Sequence, residues 1–241
     1  VRRIVYHPHG RGSHSPAQIH ARQHRQSMSP NDSRGARPET WSISLAMMDE
    51  VHLTARLPKP SHPVSARRAA KTPEVVAVAK QFGREYFDGA REHGYGGYHY
   101  DGRWMPVVED IIDHFDLKPG DRVLDVGCAK GFLVRDMCWT GLDAYGLDIS
   151  DYALKNCHPE VVGRVHLGNA TFLPFPDHSF DAVICINTVH NLERPWCVRA
   201  LREIERVTKH SAAFAQVGSY RTPEEKQLLE DWALTAETHG Y

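Results

Sequence analysis

The sequence has no apolar run approaching the ~18–20 residues that a membrane-spanning helix needs, and its first residues lack the apolar core of a signal peptide. Cysteine is scarce. The five thiols among 241 residues, Cys128, Cys138, Cys157, Cys185 and Cys197, form no C-x-x-C pair and no repeating framework. That excludes a disulfide scaffold and points to a reduced, cytoplasmic chain. Net charge is also nearly absent, at −1 overall, but the average conceals a division. Residues 1–73 carry a formal charge of +8 and residues 74–241 one of −9, so the two regions are physically different objects.

The basic region is rich in Arg, His, Ser and Pro and poor in apolar periodicity. "GRGSHSP" and "MSPNDSRGARP" have turn and coil composition. Its only compact apolar piece is Trp41–Leu53, a candidate short helix. The expectation is a disordered N-terminal extension over residues 1–71. A transit peptide fits the Arg/Ser bias but lacks the amphipathic Leu pattern. His7, His9, His14, His20 and His24 lack the spacing of a metal site, so no metal is expected. A basic tail touching nucleic acid stands against the plainer reading of a solvated tail.

From Thr72 the pattern changes. Thr72 and Pro73 make a capped helix start. Gly94–Trp104 interleaves glycines with aromatic residues in a loop, and Val108, Ile111, Ile112 and Phe115 then fall on one helical face. Five strands follow, at Arg122–Gly127, Asp143–Ser150, Arg164–Asn169, Phe180–Val189 and Ala212–Tyr220. They largely alternate with helices at Gly131–Trp139, Asp151–Cys157, Cys197–Lys209 and Thr222–Thr238. The strands read as apolar runs rather than strict alternation, which is the signature of a parallel sheet covered on both faces. The predicted fold is therefore α/β, a three-layer Rossmann-like sheet with helices on both faces, spanning residues 72–241.

In such sheets ligands bind beyond the carboxyl ends of the strands. The loop after the first of these strands, "VLDVGCAKGF" at Val123–Phe132, is the place to look. Its small residues Gly127, Ala129 and Gly131 are spaced two and two, so the dinucleotide fingerprint G-x-G-x-x-G fails, and so does the P-loop pattern. Asp125 would repel a phosphate. A carboxylate does suit a cation, and S-adenosylmethionine carries both an ammonium and a sulfonium.

These residues resemble the class I S-adenosylmethionine-dependent methyltransferases, in their small-molecule, type 11-like subgroup, over about residues 82–238. The family's acidic-x-Gly-x-Gly-x-Gly motif is matched by Asp125, Gly127, Ala129 and Gly131. "YGLDIS" offers Asp148 and Ile149, "GNATFLPF" offers Asn169 and Ala170, and "LPFPDHSFDAVICINTVHNL" resembles the loop and fourth strand of many members. The resemblance implies that S-adenosylmethionine is the donor. It implies that Asp148 takes the ribose hydroxyls and that Asn169 lies near the adenine amine. Asn187, at the end of the fourth strand, is a further candidate for the donor site near the substrate, with satisfaction of the strand end as the alternative. Two departures stand out. Ala129 replaces a glycine, which is tolerable if its φ is negative. Asn169 replaces the commoner Asp, although its amide oxygen can still accept a hydrogen bond from the adenine amine. The family's sixth and seventh strands are not found before Tyr241, so the domain is expected to be C-terminally incomplete. The outer edge of the fifth strand would then be exposed to self-association.

Methyl transfer from a sulfonium is mostly a matter of positioning, and a base is needed only where the acceptor must lose a proton. His190, just past the fourth strand, is the candidate base, with a structural histidine as the alternative. Tyr95, Tyr98, Tyr100, Arg103 and Trp104 are candidates for a lid whose ring faces attract a sulfonium. The acidic character of residues 74–241 disfavours a nucleic-acid substrate. A small-molecule acceptor with an O- or N-nucleophile is expected. Alternatives are a protein methyltransferase, a donor-binding but inactive or regulatory protein of this fold, and an α/β module that binds no donor.

Overall fold

In the computed structural model the described residues are 4–6, 52–58, 63–210, 212–218, 220 and 222–237. Strand β1 (Ile4–Tyr6) is followed by helices α1 (Val64–Ala70), α2 (Pro73–Ala79), α3 (Arg84–Phe87) and α4 (Met105–Phe115). Then come β2 (Arg122–Val126), α5 (Phe132–Trp139), β3 (Asp143–Asp148), α6 (Asp151–Lys155) and β4 (Val165–Leu167). The remainder is β5 (Ala182–Ile186), α7 (Arg194–Val207), β6 (Ala213–Gly218) and α8 (Pro223–Trp232). The sheet order is β1-β6-β5-β2-β3-β4, and every pairing is parallel.

Successive strand residues feed opposite layers, so both faces must be apolar. Val123, Ala144, Ala182, Ile184 and Phe214 pack with Val107, Val108 and Ile111 of α4 and with Val134 and Met137 of α5. Leu124, Val126, Leu147, Val183 and Cys185 pack on the other face with Cys197, Ala200, Ile204 and Val207 of α7. Those four α7 residues are spaced three, four and three apart, the period that keeps one helical face on the sheet. Thr72 caps α2 by accepting the Val75 N–H at 3.3 Å, and Thr222 and Glu225 form the capping box that starts α8.

Two expectations are corrected here. Order begins before residue 72: α1 lies inside the expected extension, Leu53 is buried in the main core, and Arg67 is buried with its guanidinium donating to the carbonyls of Arg91, Glu92 and Gly94. The Arg-rich composition of this stretch concealed a side chain whose charge is satisfied by backbone carbonyls. The outer edge of β6 is also not bare, because β1 pairs with it from Ile4↔Gln216 to Tyr6↔Gly218. The edge that was expected to mediate self-association therefore has a partner within the chain. The candidate helix Trp41–Leu53 lies outside the described residues apart from its last two, which enter a turn. The candidate metal-tract histidines also lie outside them.

Chain connection runs outward from β2 through β3 to β4 on one side and from β5 to β6 on the other. The strand order thus reverses between β2 and β5. A crevice opens outside the carboxyl ends of strands at such a point, and the loops after β2 and β5 meet there.

Candidate functional site

The loop after β2 is held by its own amides. The N–H groups of Gly127 and Cys128 both donate to the Leu147 carbonyl, at 2.7 and 3.2 Å, and Gly131 donates to Cys128 at 2.8 Å. Ala129 donates to Asp148 Oδ2 at 2.7 Å. With these amides bonded inside the protein, the loop does not present the ring of free N–H donors that cradles a phosphate. Gly127 has φ +86°, and a Cβ there would lie 1.9 Å from Thr188 Oγ1. Only glycine lets this loop close against the end of β5. Gly131 opens α5 at φ +74°.

Ala129 departs from expectation. Its φ is +50°, so the methyl sits in the left-handed region rather than at negative φ. The bond to Asp148 holds it there. Asp148 is itself 9% exposed, and its second oxygen accepts the Ser150 N–H at 2.8 Å. Burial pushes its carboxyl up, and the N–H bonds from Ser150, Ala129 and Ile149 oppose that rise. The N-cap of α6 is Ser150, whose hydroxyl accepts from Ala153. Asp148 instead ties the end of β3 to the loop after β2.

A cavity of about 160 Å³ lies at the strand-order reversal. It is lined by Asp125 of β2, by Gly127, Cys128 and Ala129 of the loop after it, by Ile186 of β5 and Asn187 just beyond, and by Tyr95, Tyr98, Arg103 and Trp104 from the aromatic loop. Asp125 is 4% exposed. Burial, with the charge of Asp148 adding to it, pushes its carboxyl up to about 8. Among the described residues nothing donates a hydrogen bond to its side chain. Arg103, which also lines the cavity, is held by Asp101 through Nε and one Nη at 2.8 and 2.6 Å. A buried acid without a donor and a guanidinium therefore share one small cavity. Asn187 follows β5 at φ +55°, is exposed and lines this space. Burial raises the Tyr98 phenol, which keeps it neutral. Its ring stacks on Phe132 at 4.8 Å and meets Tyr95 at 4.4 Å.

Several expected site residues lie elsewhere. Tyr100 does not line the cavity. Its hydroxyl donates to the wholly buried Asp136 at 2.6 Å and accepts from Arg135 at 2.7 Å, which anchors the far end of the aromatic loop. His190 sits in a 3₁₀ turn, Val189–Asn191, one turn past Asn187 and outside the cavity lining. Its carbonyl accepts the Glu237 N–H at 2.9 Å. Ile149 is 59% exposed beyond the end of β3. Asn169 Oδ1 accepts both the Thr171 N–H and the Thr171 hydroxyl at 2.9 Å. The oxygen expected to take an adenine amine is thus engaged within the chain, and the amide NH₂ of Asn169 is the group left over. Ala170 packs against the α7-side core.

Sequence reading missed Leu57, Pro58, Cys128, Leu133 and Ile186 as cavity-lining residues. Cys128, Leu133 and Ile186 were readable as neighbours of the motifs. Leu57 and Pro58 lie in a stretch of coil composition and gave no signal.

Residues 124–215 match a family model described as a methyltransferase domain. The chain is 38% identical over 110 residues to a demethylmenaquinone methyltransferase of Renibacterium salmoninarum, covering 44% of each chain. It is 36% identical over 107 residues to a sterol 24-C-methyltransferase of Schizosaccharomyces pombe, covering 41% of this chain and 28% of the relative. Among solved structures, the YcgJ protein of Bacillus subtilis is 25% identical with a TM-score of 0.43, covering 50% of this chain and 54% of that one. The chain spans about half the length, or less, of the curated relatives it matches.

Proposed function

We propose that this chain, whose residues 124–215 match a methyltransferase domain, is a class I S-adenosylmethionine-dependent methyltransferase that transfers a methyl group from that donor to a small apolar acceptor, and that the cavity at the β2/β5 crevice receives the donor's amino-acid end. The observation that carries this reading is Asp125, a buried carboxyl group with no donor among the described residues, in one cavity with Arg103. An α-amino acid supplies the partner Asp125 lacks, an ammonium, and its carboxylate can accept from the Arg103 Nη that Asp101 leaves unbonded. A cavity of about 160 Å³ is smaller than the roughly 300–1,000 Å³ of pockets for drug-sized ligands. It suits that end of the donor rather than its nucleoside.

The rest of the donor falls to residues outside the cavity. The Asp148 oxygens accept the Ala129 and Ser150 N–H groups, and the carboxylate retains a lone pair for a ribose hydroxyl. Ile149, exposed beside it, offers an apolar surface to the adenine. With Asn169 Oδ1 engaged by Thr171, the Asn169 NH₂ would donate to a ring nitrogen instead.

Bound S-adenosylmethionine supplies a methyl group already activated on a sulfonium. The chain's own work is then to orient the acceptor and exclude water. The aromatic rings of Tyr95, Tyr98 and Trp104 at the cavity do both, and their faces favour a nearby positive charge. The titratable residues lining the cavity are Asp125, Tyr95, Tyr98, Arg103 and Cys128. Asp125 is committed to the ammonium, and the Tyr98 phenol and Cys128 thiol are both raised by burial. This favours an acceptor atom that attacks without first losing a proton to the protein. The name of the sterol relative specifies carbon as the atom methylated, and we extend that reading to this chain in place of an oxygen or nitrogen acceptor. The carbon's π electrons form the new C–CH3 bond as the S–CH3 bond breaks to release S-adenosylhomocysteine, and the cationic carbon skeleton then gives up a proton to solvent. Calorimetric titration with S-adenosylmethionine, followed by turnover on a quinone and sterol panel, tests the proposal. Binding with transfer to a ring or alkene carbon is expected, and transfer only to hydroxyls or amines would overturn the acceptor assignment.

A further inference from the structure

Lys130 stands inside the loop after β2, next to Ala129, yet it is only 6% exposed. A buried ammonium requires partners for its three donors, and it has three. Nζ lies 2.7 Å from both Asp88 oxygens and 3.0 Å from the Tyr98 carbonyl. Asp88, which ends α3, accepts the Tyr98 N–H at 3.2 Å through Oδ1 and the Tyr152 hydroxyl at 2.8 Å through Oδ2. Burial alone would raise the Asp88 carboxyl, but Lys130, Tyr152 and the Tyr98 N–H outweigh it and the result is lowered.

The ion pair therefore grips both backbone polar groups of one residue, the N–H through Asp88 and the C=O through Lys130. That residue is Tyr98, whose ring lines the cavity. It also binds the aromatic loop to the same short loop whose Gly127, Cys128 and Ala129 line the cavity opposite. Surface ion pairs contribute little because water competes for both partners. Here the Lys130 side chain is 7% and the Asp88 side chain 22% exposed, with the protons and oxygens occupied, so lifting the aromatic loop means breaking the pair.

We infer that Lys130 and Asp88 are positioning residues that fix Tyr98 over the donor cavity and set how long donor and product stay bound. This rests on the donor reading above. The pair does not touch the cavity, so its effect passes through Tyr98.

Product binding and dissociation should be measured with S-adenosylhomocysteine by calorimetry and stopped flow, in the unmodified chain and in Lys130→Met, Asp88→Asn and Lys130→Arg. Lys130→Met and Asp88→Asn should each weaken binding by about tenfold or more, chiefly through faster release, and Lys130→Arg should recover part of the loss. Melting curves follow each variant. A lower melting temperature with unchanged product affinity and release would reduce the pair to a fold-stabilising role and overturn the inference. Hydrogen exchange on the unmodified chain gives a reading that needs no variant. The Tyr98 amide should exchange slowly and gain protection when the product binds. Rapid exchange unaffected by product would also overturn it. Failure of the unmodified, folded chain to bind the product at all would instead remove the donor reading on which it stands.

Discussion

The backbone N–H of Ala129 donates to the carboxylate of Asp148 at 2.7 Å, which joins the loop after β2 to the end of β3. The bond gives Asp148 two tasks, closing the loop and facing the expected ribose. Asp148→Ala should therefore reduce stability as well as donor affinity. Hydrogen bonds to a charged group contribute about 1.5–3 kcal/mol each, and the variant loses those from Ala129 and Ser150. Urea unfolding should show a loss of at least about 1.5 kcal/mol. An unchanged midpoint would show that the loop is held without this carboxylate.

Ala129 at φ +50° stores strain that glycine would not. A left-handed L-residue costs about 1–2 kcal/mol, and glycine's extra unfolded-state freedom offsets about 0.5–1 kcal/mol of that. Ala129→Gly should raise stability by roughly 0.5–1 kcal/mol in the same urea experiment. A clear loss of stability would mean that the methyl packs to advantage.

The contrast between these two residues shows what was legible in the sequence. The strands and the face of α7 were readable because apolar runs and helical spacing record burial directly. Asp125 and Gly127 were readable because a carboxylate and a glycine at the end of a buried strand have few other uses. The φ of Ala129 was not, since it depends on a bond to a residue 19 positions away. Lys130 drew no expectation, because its partner, Asp88, lies 42 positions upstream. His190 was expected in the site because it follows β5, but the Val189–Asn191 turn carries it past the cavity.

His190→Gln should accordingly leave turnover within a few-fold of that of the unmodified chain once an acceptor is identified. Removing a general base typically costs about 10²-fold or more, so a loss of that size with donor affinity intact would restore His190 as the base.

The raised Asp125 carboxyl gives a pH signature. In the folded chain it holds its proton up to about pH 8, whereas unfolded aspartate releases it near ~3.9. Between those values the folded state binds the extra proton. This group's contribution to stability is full below the unfolded value and falls as pH rises towards about 8. The difference in unfolding free energy between the unmodified chain and Asp125→Asn should follow that slope. A pH-independent difference across this window would mean that Asp125 is ionised throughout in the free protein.

Calorimetric titration of S-adenosylmethionine into the unmodified chain and into Asp125→Asn addresses the central claim most directly. The Asn variant keeps the shape of the side chain and removes the charge offered to the ammonium. One-to-one binding by the unmodified chain, strengthening as pH approaches about 8, is expected, together with affinity at least about tenfold weaker in the variant. Equal affinity in the two proteins, or no binding by the folded unmodified chain, would contradict the assignment of this cavity to the donor.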